Sequence, residues 1–119
     1  MRLGEDIAQR LLRVGLAALR IATGLEKNIG SQHLAMQLIR AATGAGANYE
    51  EARAAESRAD FIHKVGIAAK MREAYYWLNL IGLSGWFRQD VSSVIREAAE
   101  LVAILGASAR TARKSQPEK

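Results

Sequence analysis

The sequence predicts an all-α protein, in which residues 1–114 form one antiparallel, up-down-up-down four-helix bundle. Half of the 119 residues are hydrophobic but only 6% are aromatic, so alanine and aliphatic side chains must form the core. The single proline lies near the chain end, at position 117. Apolar residues recur at steps of three and four along four stretches, which is the spacing of amphipathic helices in bundles. Residues 115–119 are predicted to be a disordered tail.

The four predicted helices span, in chain order, about residues 4–25, 31–55, 57–83 and 90–114. The apolar stripe of the first helix runs from Ile7 to Leu25. Ser31 is the predicted N-cap of the second helix, since a serine hydroxyl can accept hydrogen bonds from the first-turn amides. The third helix should end at the turn sequence GLSG, residues 82–85, and Asp90 is the predicted cap of the fourth.

The stretch GAGANYE, residues 44–50, places two glycines inside the second predicted helix. A dinucleotide-binding fingerprint would need a preceding strand and a third glycine at the position of Tyr49, so we exclude that interpretation. Gly44 and Gly46 leave little side-chain bulk, which predicts that another helix or another subunit approaches closely there. Asn48 is the one polar member of this helix's apolar stripe and is predicted to have a structural role.

A charged pair is predicted between the second and third helices. Pairing them about a turn near residue 56 places Arg40 opposite Glu73. A buried or half-buried pair would specify the register of the two helices more than it would stabilise them. The alternative is two solvated charges on separate faces, because surface ion pairs are common and weak.

The net charge of +5 is concentrated at the two chain ends. In an up-down-up-down bundle these ends lie at the same pole, so their cations would form a surface suited to phosphates. The candidate nucleic-acid-binding residues are Arg2, Arg10, Arg13, Arg110, Arg113 and Lys114. Cations in a last helical turn can also simply compensate the helix dipole. Acidic residues near the turn between the second and third helices, such as Glu50, could neutralise the patch.

Five of the seven aromatic residues lie around the turn between the third and fourth helices. They are Tyr75, Tyr76, Trp77, Trp86 and Phe87. Three consecutive aromatics cannot all face one core on a helix, so at least one should lie at the surface or in a subunit interface. Interface burial is the preferred hypothesis, since exposed tyrosine and tryptophan are frequent anchors of protein contacts.

The sequence offers no recognisable catalytic or metal-binding arrangement. There is no cysteine, and the only histidines are His33 and His63, without the Glu-x-x-His pairs of di-iron bundles. Neither a signal peptide nor an apolar stretch long enough for a bilayer is present. We therefore expect a non-enzymatic, cytoplasmic protein without a cofactor and without a membrane contact.

The stretch QLIRAATGAGANYEEARAAESRADFIHKVGIAAKMREAYYWLNLI, with ELVAILGASARTAR near the C-terminus, resembles the bacterial four-helix bundle protein family. This family includes proteins encoded in intervening sequences of large-subunit ribosomal RNA genes. The resemblance covers roughly residues 31–113. It is carried by Gln37, Arg40, Ala41, Ala42, Gly46, Ala47, Asn48, Glu51, Ala52, Ser57, Asp60, Phe61, Ile62, Lys70, Glu73, Tyr76, Trp77 and Leu78.

The resemblance implies a four-helix bundle that assembles into a ring-like homopentamer, and it supplies no catalytic residues. A more distantly similar protein is the accessory protein of diversity-generating retroelements, a basic pentamer that partners a reverse transcriptase and nucleic acid. The first functional hypothesis is therefore a non-enzymatic protein that binds RNA or DNA phosphates. The alternative is a protein–protein adaptor or accessory subunit for a nucleic-acid enzyme such as a reverse transcriptase.

Overall fold

A computed structural model of the chain describes residues 4–54 and 66–114, with side chains described up to residue 111. Four helices and no strand lie in this part of the chain, which confirms the predicted all-α class. The helices are α1 (Glu5–Gly24), α2 (Ile29–Arg53), α3 (Ala68–Ser84) and α4 (Ser92–Lys114). No helix within the described ranges is long and apolar enough to cross a membrane.

Each helix packs against the next one in the chain, and α1 contacts α4 less extensively than it contacts α2. The four helices share one hydrophobic core of aliphatic and alanine side chains. Its largest fully buried members are Leu11, Leu38, Met71, Leu78, Ile81, Leu101 and Leu105. Alanines fill much of the remaining contact surface, as the low aromatic content of the sequence predicts.

The α1–α2 connection ends in a capping box. The Ser31 amide donates to Asn28 Oδ1 at 2.8 Å, and the Asn28 amide donates to Ser31 Oγ at 2.9 Å. Asn28 is therefore the N-cap of α2, and the prediction that Ser31 is the cap is wrong by three residues. The helix begins earlier than the prediction because these reciprocal bonds satisfy amides of the first turn. Ser31 is buried in this role.

The third helix begins later than the sequence pattern predicts. Gly66 and Ile67 form a turn, and α3 starts at Ala68, so a continuous helix over 57–83 is not what the chain adopts. Glycine is a poor helix former because it loses more backbone entropy than other residues. The predicted stretch from 57 to 65 lies outside the described residues.

The two helix connections at the opposite end of the molecule pack against each other. The Glu26 amide donates to the Trp86 carbonyl at 2.8 Å, which joins the α1–α2 connection to the α3–α4 connection. The rings of Trp86 and Phe87 lie over Gly30 and Gly24, where a β-carbon would come within 2.6 Å and 2.9 Å of a ring atom. These two glycines make the close approach of the connections sterically possible.

The fourth helix begins at Ser92, two residues after the predicted start. The carboxylate of Asp90 accepts from the Ser92 amide at 3.0 Å and from the Ser92 hydroxyl at 2.8 Å. The bond from the Ser92 amide and, second, the bond from its hydroxyl lower the pKa of Asp90. Asp90 therefore bonds the amide of the first helical residue, and the N-cap position, whose carbonyl accepts from the Ile95 amide, is Val91, one residue after the predicted cap.

Candidate functional site

The start of α1 and the ends of α2 and α4 come together at one end of the molecule. Arg53 Nη2 lies 2.8 Å from Glu5 Oε2, which joins the last residue of α2 to the first of α1. Ala52 and Ala109 form a small buried apolar cluster that joins α2 to α4. We call this end of the molecule, which carries Arg13, Arg53 and Arg110, the arginine pole.

Arg53 bonds two acidic residues at the arginine pole, so this group of three side chains keeps a net negative charge. Its Nη1 lies 2.7 Å from Glu50 Oε1, and its Nη2 bonds Glu5 on the neighbouring helix. The hydrogen bond to Glu50 and then the bond to Glu5 raise the pKa of Arg53 above its usual value. The side chain is only 10% exposed, and its Nε is buried without an acceptor. Arg53 is therefore a structural cation and is not available to a phosphate.

Arg10 forms a second cluster, which joins α1 to α4. Its Nε and Nη2 donate to the two carboxylate oxygens of Glu97 at 2.8 and 2.7 Å, and Nη2 also lies 3.0 Å from Glu100 Oε1. The hydrogen bond from Arg10 lowers the pKa of Glu97. Two nitrogens of Arg10 are therefore bound by carboxylates across the α1–α4 contact, and the prediction that Arg10 binds nucleic acid stays a prediction.

Two of the other candidate phosphate ligands are exposed, and the rest lie outside the described side chains. Arg13 projects from α1, and Arg110 projects from the last turns of α4. Arg2 precedes the described residues. Arg113 and Lys114 belong to α4, but their side chains are not among those described.

The two arginine clusters contain more acidic than basic side chains. The Arg10 and Arg53 clusters together contain two arginines and four carboxylates. Since the chain has 17 basic and 12 acidic side chains, fifteen basic and eight acidic ones lie outside the clusters. The two clusters thus carry a net negative charge, and Glu50 and Glu100 in them remain more than half exposed.

The predicted Arg40–Glu73 pair does not form as a buried contact. Both side chains are exposed, and no salt bridge joins them within the described residues. The rings of His33 and Trp77 meet edge to face with centroids 5.7 Å apart.

Within the described part of the chain, the backbone of α1 comes to ordinary contact distance at Gly46 but no atom does at Gly44, and the alternative, approach of another subunit, stays a prediction. A β-carbon on Gly44 would meet no atom within 4 Å, and one on Gly46 would lie 3.7 Å from the Leu11 carbonyl oxygen, an ordinary contact distance. Asn48 is half-buried, while Tyr49 beside it is buried at 8% exposure. Burial raises the pKa of the Tyr49 hydroxyl. Tyr49 is thus a large buried side chain on α2, whose other buried residues in this region are alanines.

The five candidate interface aromatics divide into two groups. Trp77, Trp86 and Phe87 are half-buried and pack against the hydrophobic core. Tyr75 and Tyr76 are exposed, and the Tyr76 ring contacts the Trp77 ring edge to face at 5.0 Å between centroids. The two tyrosines remain as surface candidates, and the other three have partners within the chain.

An open groove between α1 and α2 was not anticipated from the sequence. Its volume is about 830 Å³, and three exposed leucines, Leu12, Leu16 and Leu19, form part of its lining. They recur at steps of four and three, one residue out of phase with the buried stripe. A second apolar stripe on one helix is the signal that could have predicted this face.

No group of three or more potential metal-ligating side chains occurs in residues 4–54 and 66–111. The exposed His33 ring contacts the Trp77 ring, and His63 lies outside the described residues. The described side chains therefore give no positive indication of a metal centre.

A solved structure with a similar fold is a protein of unknown function from the S23 ribosomal protein family of Bacteroides thetaiotaomicron. The two are 26% identical with a TM-score of 0.74, and the match covers 87% of this chain and 97% of that one. The chain is thus similar to a bacterial helical family. No protein-family model and no curated protein sequence matches it.

Proposed function

We propose that the chain is a non-enzymatic, cytoplasmic, homo-oligomeric protein that binds RNA or DNA phosphates at its arginine pole. It would belong with the ribosomal RNA intervening-sequence proteins that the sequence resembles. The observation that carries the phosphate-binding proposal is the exposure of Arg13 and Arg110 while the neighbouring acids Glu5, Glu50 and Glu97 are engaged by structural arginines. A ring of subunits would repeat this basic surface, and repetition strengthens phosphate binding.

The proposed architecture is an antiparallel up-down-up-down bundle that assembles as a ring-like homopentamer. Support for the antiparallel order comes from contacts whose residue numbers run in opposite directions along neighbouring helices. Gly15 faces Thr43, and Gly46 faces Leu11. Support for the pentamer comes from the sequence resemblance.

Fluorescence anisotropy with a labelled structured RNA and a matched DNA duplex, over a salt series, tests the phosphate-binding proposal. We expect binding that weakens with salt, with a slope of about 0.9 per phosphate contact on duplex DNA. The double variant Arg13→Ala/Arg110→Ala should weaken binding and flatten the slope. Arg72→Ala is the matched control, because Arg72 is an exposed arginine on α3. No binding at low salt, or equal loss in the control, would contradict the proposal.

A second candidate function is that of an adaptor or accessory subunit for a nucleic-acid enzyme such as a reverse transcriptase. The exposed pair Tyr75 and Tyr76 favours it, since tyrosine is enriched among residues that dominate binding energy in protein interfaces. Binding to a purified retroelement reverse transcriptase can be measured by biolayer interferometry. Tyr76→Ala should weaken that binding at least tenfold, whereas Met36→Ala, an exposed apolar residue on α2, should not.

A further inference from the structure

We infer that the α1–α2 groove is a two-fold contact with a second copy of this chain, in which the two α1 helices cross antiparallel near Leu16. This inference extends the self-association part of the proposed function to a specific surface. The groove adjoins the arginine pole, because Glu5, Glu50 and Arg53 line one end of it and Arg13 is also in its lining, but its exposed leucines lie farther along α1.

The groove presents an apolar surface that the chain itself leaves uncovered. Leu12, Leu16 and Leu19 are 66%, 46% and 42% exposed, although they lie on a helix whose other face is fully packed. The line of these leucines extends over seven residue steps, or about 10 Å of α1. Contiguous exposed leucines of this kind are typical of interaction surfaces in soluble proteins.

The shape of the groove is self-complementary. The leucines form a ridge on α1, and beside them the lining contains the small residues Gly15, Thr43, Gly46 and Ala47. A surface that carries a ridge next to a trough can pair with a copy of itself about a two-fold axis, since each ridge then enters the trough of the other copy. In such an isologous contact the same patch of each copy faces the other copy, so no second type of surface is needed.

The charges along the groove favour the antiparallel orientation. Glu5 and Glu50 share a single cation, Arg53, so this end of the groove carries a net negative charge. Beyond its other end the exposed charged residues are Arg20, Glu26 and Lys27, which together carry a net positive charge. A two-fold axis at Leu16 places the level of Glu5 in one copy opposite the level of Lys27 in the other. A parallel arrangement would instead bring the two acidic ends together.

The composition of the groove argues against nucleic acid as its occupant. Arg13 and Arg53 are the two cations of the lining, and Arg53 is already bound to two carboxylates. The centre of the groove is apolar, whereas phosphate-binding surfaces need several available cations. A second apolar surface would remove the exposed leucines from water, whereas a phosphate backbone would not.

The mass of the assembly in solution, measured by light scattering coupled to size-exclusion chromatography, tests the inference. Two chains, or ten if the ring of five also forms, would support the two-fold contact. One chain or five would overturn it, and five would leave the ring of the proposed function intact. Leu16→Glu should halve the mass of the assembly without changing the helical circular dichroism. Leu83→Glu is the control, because Leu83 is 85% exposed on α3, away from the groove.

A cysteine variant tests the antiparallel geometry without placing a charge in the contact. The chain has no native cysteine, so Leu16→Cys introduces the only thiol. Mild oxidation should convert this variant to a covalent dimer on a non-reducing gel, and Leu83→Cys should stay largely monomeric. Equal cross-linking of the two variants, or none in Leu16→Cys, would overturn the crossing at Leu16.

Discussion

Arg10 on α1 and Glu97 on α4 form a bidentate pair, with Arg10 Nε and Nη2 donating to the two carboxylate oxygens at 2.8 and 2.7 Å. They are 87 residues apart in the chain, and they join the two helices that contact each other least among the neighbouring pairs. The pair therefore supplies a directional link where apolar packing is thinnest.

Arg10→Ala should lower the free energy of unfolding. The two side chains are 25% and 34% exposed, so we expect a loss on the order of 0.5–1 kcal/mol rather than the larger cost of a buried pair. Urea denaturation followed by circular dichroism measures the change. Arg96→Ala, an exposed arginine on the same helix as Glu97, should change stability less. Equal effects would mean that the pair contributes nothing specific.

The contribution of Glu97 should depend on pH. Arg10 lowers the pKa of Glu97 in the folded protein, so the folded state favours the carboxylate more than the unfolded state does. This stabilisation is present above the usual carboxyl pKa and is lost as the pH falls through the lowered value. We expect the wild type to be more stable than Glu97→Gln at pH 7, and the difference to shrink below about pH 4. A difference that stays constant down to pH 2 would contradict this linkage.

Gly30→Ala should destabilise the protein. Its β-carbon would lie 2.6 Å from Trp86 Cη2, so the indole ring or the backbone must move. Overpacking of this kind costs about 1–3 kcal/mol. Thermal unfolding and the Trp emission spectrum would report the loss of stability and the displaced ring.

Gly44→Ala is the matched comparison for the Gly30 variant. It adds the same methyl group at a helical glycine where no atom lies within 4 Å, so it should stabilise α2 by up to ~1 kcal/mol. A destabilised Gly44→Ala would mean that something covers this position in solution.

Asn28→Ala should remove one half of the capping box and cost about 1 kcal/mol. The amides of the first turn of α2 would lose the acceptor that Asn28 Oδ1 provides. Hydrogen exchange at the Ser31 amide should increase more than exchange in the middle of the helix. Asn79→Ala on α3 serves as the control, since the Asn79 side chain donates to the Tyr75 carbonyl one turn back and caps no helix start. Similar losses in both variants would argue against a specific capping contribution.

The all-α class was predictable because the spacing of apolar residues is a local property of the chain. Steps of three and four from Ile7 to Leu25 place those residues on one side of α1, whatever the helix packs against. Helix starts were less predictable, since reciprocal bonding between Asn28 and Ser31 was decided by the geometry of the connection. The turn at Gly66 shortens α3 for a local backbone reason.

The candidate site depended more strongly on tertiary structure. Charge content along the sequence identified the terminal arginines, but it could not distinguish Arg10, which is bound by Glu97 and Glu100, from Arg13, which is exposed. These two residues lie three positions apart on the same helix, and only the location of α4 separates their roles. The aromatic residues show the same limit, because Gly24 and Gly30 accommodate Phe87 and Trp86 from the opposite connection.

The sequence by itself determined the helical class, the alanine-rich core and the concentration of positive charge at the chain ends, because composition and periodicity act within a few residues. Only the tertiary structure decided which arginines are neutralised and which leucines of α1 are left in an open groove. The physical reason is that hydrogen-bond partners and buried neighbours come from residues up to 87 positions away. Which residues meet depends on how far each helix is shifted along its neighbour. A shift of a few ångströms would give a side chain different partners.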